Sequence, residues 1–208
     1  MTILQVDQLT KKIKGMPIIQ DVSFKLDEGQ IVGLVGANGA GKTTLMKVIL
    51  GLSNYQDGSF EIRANTNNKS NTGALIESPG VYPFLTGYDN LKLLCESKDK
   101  NAIDDIVKKL KMDRYIHKKA KTYSLGMKQK LGIAIAFLNH PQLIVLDEPM
   151  NGLDPKAVRD VRELIVETAK QGTTFLISSH ILSELVKITD SILIIDEGKI
   201  IKQRSEER

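Results

Sequence analysis

A chain of 208 residues fits one domain that can bury a full hydrophobic core. Its 41% hydrophobic and 26% charged residues are typical of an ordinary soluble globular chain. The single cysteine, Cys95, excludes an internal disulfide and suits a reducing cytoplasm. The longest apolar run, Leu131 to Leu138, is far too short to span a bilayer, so we expect any membrane role to depend on a partner.

The net charge of +4 is unevenly distributed along the chain. Residues 78–130 contain twelve Lys and Arg against six Asp and Glu, a local balance of +6, so the remainder sums to −2. A solvated helical face is the default interpretation of this basic excess. Nucleic acid is an alternative without interleaved aromatic residues to support it, and an anionic membrane surface is a third that stays open.

The chain begins with patterns that are typical of β-strands. Alternating residues predict strands at 3–9 and 18–26, separated by a turn at 14–15. Residues 58–63 predict a third strand, and together these segments indicate an antiparallel piece. The apolar run at 31–35 instead predicts a buried parallel strand.

A glycine-rich motif follows that parallel strand directly. Gly36-Ala37-Asn38-Gly39-Ala40-Gly41-Lys42-Thr43 matches G-x-x-x-x-G-K-[ST] at every fixed position. It precedes a helix predicted at 44–50, whose positive end faces the same spot as the N–H groups of the loop. Lys42 would reach the β- and γ-phosphates and the Thr43 hydroxyl would hold Mg²⁺. The motif therefore predicts a nucleoside triphosphate site.

The remaining pattern predicts an α/β core that a helical segment interrupts. The predicted elements are an exposed Asn-rich turn at 65–72, a strand at 73–76, helices at 87–97, 101–111 and 125–139, strands at 143–147, 173–178 and 191–196, helices at 155–170 and 181–188, a hairpin turn at 196–199 and a frayed end at 204–208. The fold class is predicted as α/β, a P-loop NTPase core with an N-terminal antiparallel β piece. We expect one domain, in which residues 1–79 and 141–208 form the core and residues 80–140 an inserted α-helical subdomain.

The strand predicted at 143–147 carries a second candidate part of the site. Four aliphatic residues precede Asp147 and Glu148, which places both acids at the carboxyl edge of the sheet, where α/β folds bind ligands. Asp147 would bind Mg²⁺ directly or through water. Glu148 would polarise or position a water for in-line attack on the γ-phosphate. A solvated acidic turn is the alternative interpretation.

Two further motifs and one histidine carry a resemblance to a known family. Ser124-Leu125-Gly126-Met127-Lys128-Gln129, which alone reads as an N-capped helix, resembles the signature motif of ATP-binding cassette (ABC) proteins. Asn151-Gly152-Leu153-Asp154 resembles the D-loop of that family, and His180 resembles its switch histidine. The resemblance covers essentially the whole chain.

The resemblance implies a two-lobed ATPase that uses ATP and Mg²⁺ and works as a head-to-tail pair. It implies a membrane-spanning permease subunit, a second copy of the chain and no nucleic acid, with the chain held at the cytoplasmic face of the membrane through the permease. Glu148, His180 and Lys42 are expected to act in catalysis, and Thr43, Glu77 and Asp147 to bind the metal. The expected nucleotide-binding residues are Gly36, Asn38, Gly39, Ala40, Gly41, Lys42, Thr43, Thr44, Ser124, Gly126, Met127 and Asp154.

Two positions depart from the common family pattern. Ile13 stands where the family usually has an aromatic residue that stacks on adenine, and Glu77 stands where it normally has Gln. A carboxylate ligates Mg²⁺ at least as readily as an amide oxygen. The string from Ala74 to Gly80, with the signature, is similar to the bacitracin-exporter and lantibiotic-immunity branch.

The expected function is therefore to power export of a substrate, such as a peptide antibiotic, through a separate membrane subunit. The alternative is a cassette ATPase that acts on nucleic acid or the ribosome. A crowded apolar loop after Glu77, with Tyr82 and Phe84, is expected either to cover the lobe junction or to receive a helix of the membrane subunit.

Overall fold

The computed structural model describes residues 1–63, 72–96 and 100–205. Its strands are β1 (Thr2–Ile13), β2 (Met16–Asp27), β3 (Ile31–Val35), β4 (Asp57–Ile62), β5 (Thr72–Leu75), β6 (Leu143–Leu146), β7 (Thr174–Ser179), β8 (Ser191–Asp196) and β9 (Lys199–Ser205). Its helices are α1 (Lys42–Ile49), α2 (Gly87–Leu94), α3 (Lys100–Lys109), α4 (Leu125–Phe137), α5 (Pro155–Lys170) and α6 (Leu182–Leu185), with a 3-10 turn at Ala120–Thr122. The turn predicted at 65–72 lies almost wholly outside the described residues.

The strands form two sheets, as the sequence patterns predicted. β2, β1 and β4 form an antiparallel sheet, and the order in the second sheet is β5-β6-β7-β3-β8-β9. All pairs of the second sheet are parallel except β8 with β9. The predicted turn between β1 and β2 is confirmed, because Lys14 and Gly15 both have positive φ, at 50° and 84°.

The order of the parallel strands brings the candidate loops together. Every residue of β6 and β7 is buried, which explains the apolar runs at 143–146 and 175–177. β3 pairs with β7 in a register that sets Val35 opposite Ser179, and β6 pairs with β7 with Leu146 opposite Ile177. The carboxyl ends of these neighbouring strands therefore meet at one edge of the sheet.

The segment between β5 and β6 contains α2, α3 and α4. Buried side chains from these helices belong to the same hydrophobic cluster as β5, β6 and β7, and the rings of Phe137 and Phe175 are 5.6 Å apart. α4 ends before the predicted residue 139, because Asn139 and His140 both adopt left-handed conformations. The boundaries predicted for a helical subdomain at 80–140 stay a prediction.

Two expectations for the C-terminal part were wrong. The helix predicted at 181–188 is only the four-residue α6, and the Thr189 hydroxyl donates to the Leu185 carbonyl at its end. Of the end expected to be frayed at 204–208, Arg204 and Ser205 belong to β9 and lie opposite Ile192 and Ser191, and residues 206–208 lie outside the described residues. The sequence of β9 only weakly indicates a strand, but backbone hydrogen bonds with β8 hold it in the sheet.

Among the residues that the structure describes, no helix is long and apolar enough to cross a bilayer.

Candidate active site

The glycine-rich loop connects the central strand β3 to α1 and approaches other backbone segments closely. A Cβ atom at Gly36 would lie 2.3 Å from the Ile195 carbonyl oxygen, and one at Gly41 would lie 2.9 Å from that of Ile18. Gly41 also has a φ of 107°, which favours glycine. Gly41 precedes α1 and has no side chain that could cap it. The first N–H groups of α1 are therefore left to bind an anion at this end of the helix.

Lys42 and Thr43 begin α1 and face the strand edge. The Lys42 side chain is buried, and its Nζ donates to the carbonyl oxygens of Gly36 (2.7 Å) and Ala37 (3.2 Å). The same Nζ lies 3.8 Å from Glu148 Oε1. Thr43 Oγ1 donates to Asp147 Oδ2 over 2.7 Å. The structure thus joins the two motifs that the sequence analysis treated separately.

Asp147 and Glu148 follow β6 and are held by Ser178 at the end of β7. Ser178 Oγ donates to Asp147 Oδ1 (2.6 Å) and accepts from the Glu148 N–H (2.9 Å). Glu148 Oε2 lies 2.9 Å from His180 Nδ1. Ser178 was not among the predicted site residues. Its position two residues before His180, at the end of a buried strand beside β6, was the available signal.

A cavity of about 320 Å³ lies at this carboxyl edge of the sheet, and Lys42, Thr43, Asp147 and Glu148 line it. Ile13 and Ile18 form an aliphatic part of its wall, and Ile13 is the residue that stands where the family usually has an aromatic one. The predicted site residues that line it are Asn38, Gly39, Gly41, Lys42, Thr43, Thr44, Asp147 and Glu148. Ala40, also in the loop, is buried. Its N–H donates to the Ala37 carbonyl, and its own carbonyl accepts from the Gly198 N–H.

The signature residues lie elsewhere, around a second cavity of about 410 Å³. Ser124 caps α4 by accepting from the Met127 N–H over 3.3 Å. A Cβ atom at Gly126 would lie 2.8 Å from the Gly152 carbonyl oxygen, so the signature and the predicted D-loop are in contact. Ser124, Gly126, Met127 and Asp154 all line this cavity. The structure therefore divides the predicted nucleotide-binding residues between two surfaces of the chain.

Asp154 ends the predicted D-loop and begins α5. Its carboxylate accepts from the N–H groups of Ala157 and Lys156, both at 2.9 Å. The bond from Ala157 is the largest of the influences that hold the pKa of Asp154 below its usual value, because it favours the ionised form. The carboxylate beside the signature therefore stays charged to a lower pH than an ordinary aspartate does.

Glu77 is not among the described residues that line the first cavity. It adopts a left-handed conformation, with a φ of 58°, and its Oε1 lies 2.6 Å from Lys47 Nζ. Lys47 is on α1, one turn beyond Thr43. To reach a metal beside Thr43, Glu77 would have to leave this ion pair.

The donor set at Thr43 and Asp147 fits Mg²⁺. A hydroxyl and a carboxylate oxygen, 2.7 Å apart, are the hard ligands that Mg²⁺ prefers. Among the described residues, no cluster of three or more His, Cys, Asp or Glu could hold a metal by itself. Such a site would leave positions for water and phosphate oxygens, as is usual for Mg²⁺ at nucleotides.

Comparison with known proteins decides the family. The family model described as ABC transporter matches residues 19–151. The chain belongs to this family. It is 42% identical, over 95% of its length and 68% of the relative, to an uncharacterized ABC transporter ATP-binding protein, YdbJ, of Bacillus subtilis strain 168. It is also 37% identical, over 97% of its length and 68% of the relative, to the bacitracin transport ATP-binding protein BcrA of Enterococcus faecalis.

Solved structures agree with the family. An ATP-binding subunit of an ABC transporter has a TM-score of 0.88 at 29% identity, covering 98% of this chain and 90% of that one. A dimeric cassette in a post-hydrolysis state bound to ADP and Pi also has a TM-score of 0.88, at 20% identity and 99% coverage of both chains, and shows the fold alone.

This ABC protein is therefore the ATP-binding and ATP-hydrolysing subunit of a transporter, as the resemblance implied. Such subunits dimerise and work with membrane permease components. The comparisons contain no support for the alternative of an ATPase that acts on nucleic acid or the ribosome.

Proposed function

We propose that this ABC ATPase powers export of a peptide antibiotic through a separate permease, at the cytoplasmic face of the membrane. The observation that carries the ATPase chemistry is the junction of Lys42, Thr43, Asp147, Glu148 and His180 at one sheet edge. The substrate class is supported by the names of relatives. These include the bacitracin transport protein and a lantibiotic transport ATP-binding protein of Streptococcus pyogenes, 39% identical over 97% of this chain.

Each residue at the edge has a role that its contacts support. Lys42 turns its ammonium from the Gly36 carbonyl to the β- and γ-phosphates of ATP, while the loop N–H groups bind the same phosphates. Thr43 and Asp147 would hold Mg²⁺, which supplies neutralisation of the developing phosphate charge. Glu148 accepts a hydrogen bond from the attacking water and orients it in line with the bond to the leaving ADP. His180 keeps the Glu148 carboxylate in place.

A second copy of the chain completes the site. Ser124 caps the helix that it begins, and Gly126 and Met127 line a cavity apart from the one that Lys42 lines. The N-terminus of a helix is a binding site for anions. In a head-to-tail pair the signature of one copy therefore closes over the γ-phosphate on the loop of the other.

The loop after β5 supplies a surface for the permease. Tyr82 and Phe84 are 54% and 74% exposed, although large apolar side chains are normally covered. The loop is nevertheless fixed, because the buried Asn90 side chain accepts from the Tyr82 N–H (2.7 Å) and donates to the Tyr82 carbonyl (3.1 Å). Exposed aromatic residues on a fixed backbone are typical of binding anchors.

We expect Tyr82→Glu combined with Phe84→Glu to weaken association with the permease by about 100-fold or more, since interface anchors contribute about 2 kcal/mol or more each. ATP binding by the isolated chain should not change. Co-purification of tagged chain and permease measures the first effect and nucleotide titration the second. Ile201→Glu is the matched control, because Ile201 is 63% exposed on β9. Retained co-purification of the double variant would contradict this surface.

The substrate class is tested in cells that carry the chain with its permease. We expect the wild-type pair to raise the inhibitory concentration of bacitracin or of a lantibiotic several-fold. The Glu148→Gln variant, expressed at the same level, should give no protection, because transport depends on turnover. Equal protection by both chains, or none against a panel of peptide antibiotics, would contradict peptide export while leaving the ATPase assignment intact.

A further inference from the structure

Glu148 has an unusual backbone conformation that other elements hold in place. Its φ is 48°, in the left-handed region that a residue with a side chain seldom adopts. On one side its N–H donates to Ser178 Oγ, and on the other its carbonyl accepts from Gln129 Nε2 over 3.3 Å. The direction of the Glu148 side chain therefore depends on contacts from β7 and from α4.

Gln129 is buried among apolar neighbours on α4. Its side chain is 6% exposed, and the nearby α4 residues Leu131 and Ile133 are fully buried. The two hydrogens of its amide nitrogen are directed to the carbonyl oxygens of Glu148 and of Pro149, the latter at 3.1 Å. A buried amide is retained where its hydrogen bonds fix a particular local structure, and here that structure is the turn that carries Glu148.

The same helix begins at the signature residue Ser124. Gln129, whose amide contacts the Glu148 carbonyl at the first cavity, therefore lies only five positions after the cap that faces the second cavity. Because α4 is a continuous helix packed into the core, a displacement of its N-terminus also moves Gln129.

We propose that Gln129 is a positioning residue for Glu148. It holds the Glu148–Pro149 backbone so that the carboxylate stays beside His180 and Lys42, and it links the signature of a chain to the water-orienting group of the same chain. The inference rests on the role proposed for Glu148. In a dimer, α4 then connects the two nucleotide sites, since each chain contributes its signature to one site and its Glu148 to the other.

The test is Gln129→Met, which keeps the length of the side chain and removes both donors. We expect kcat to fall about 100-fold, as small displacements of a catalytic group do, with KM for ATP unchanged within about twofold. The dimer formed with ATP and Mg²⁺ should last longer than that of the wild type, because the nucleotide is hydrolysed more slowly. Gln129→Leu, which also removes both donors and buries no charge, should behave in the same way and serves if the Met variant fails to fold.

Thr189→Val is the matched control, since it removes another buried hydrogen bond from a side chain to a backbone carbonyl, far along the chain from α4. It should leave kcat within about twofold. Loss of turnover together with loss of the ATP-dependent dimer in Gln129→Met would assign Gln129 to the folding of α4 and overturn the proposal. Full turnover in both Gln129 variants, with Glu148→Gln inactive, would overturn it while leaving the role of Glu148 intact. An active Glu148→Gln would instead overturn that role.

Discussion

Replacing Glu148 with Gln is expected to lower ATP turnover by about 100- to 1,000-fold while ATP still binds. The amide keeps the size of the side chain but loses the charge that orients the attacking water and that His180 supports at 2.9 Å. The nucleotide then persists between two copies of the chain. Phosphate release measures the loss of turnover, and size-exclusion chromatography with ATP and Mg²⁺ should show a stable dimer.

Glu61→Gln is the control for this substitution. Glu61 is exposed on β4 in the antiparallel sheet, so the same chemical change is made outside the sheet that carries the site. We expect wild-type turnover from it. A Glu148→Gln chain that remains monomeric and still hydrolyses ATP would contradict both the role of Glu148 and the paired mechanism.

Replacing Ser124 with Asp is expected to abolish the ATP-dependent dimer. Asp is as good an N-cap as Ser, so α4 keeps its start, but a carboxylate would now face the γ-phosphate of the other copy. Juxtaposed like charges cost several kcal/mol, and about 3 kcal/mol weakens dimerisation about 100-fold. ATP binding to the monomer should be unchanged, because Lys42 and Thr43 line the other cavity.

Sedimentation or chromatography with ATP in the Glu148→Gln background measures this effect. Ser59→Asp adds the same charge to an exposed position on β4 and should leave the dimer intact. A Ser124→Asp chain that dimerises as readily as its parent would show that the signature does not face the nucleotide.

The strand-loop-helix unit and the acidic strand end could be predicted from the sequence because their causes are local. Glycine spacing, an apolar strand and the start of a helix are all contained within residues 31–50, and they recur in the structure at β3 and α1. Asp147 and Glu148 follow four consecutive aliphatic residues, which sets them at the sheet edge whatever the neighbouring strands are.

The contacts that complete the site depend instead on residues far apart in the sequence. Ser178 reaches Asp147 and Glu148 only because β6 and β7 are neighbours in one register, which periodicity does not reveal. Gln129 contacts the Glu148 carbonyl because α4 packs beneath the same edge. The ion pair of Glu77 with Lys47 likewise joins the loop after β5 to α1, and sequence patterns do not predict it.

The central claim, that each ATP is held by the phosphate loop of one copy and the signature of another, is tested most directly by mixing two defective chains. Both carry Glu148→Gln; one also has Lys42→Ala, and the other Ser124→Asp. Alone, neither should dimerise with ATP, since every site in each homodimer is damaged. The mixture should form a heterodimer that carries ATP at one of its two sites, because an intact loop and an intact signature meet only there. If the mixture stays monomeric and traps no nucleotide while the Glu148→Gln parent dimerises, the two loops do not share a phosphate.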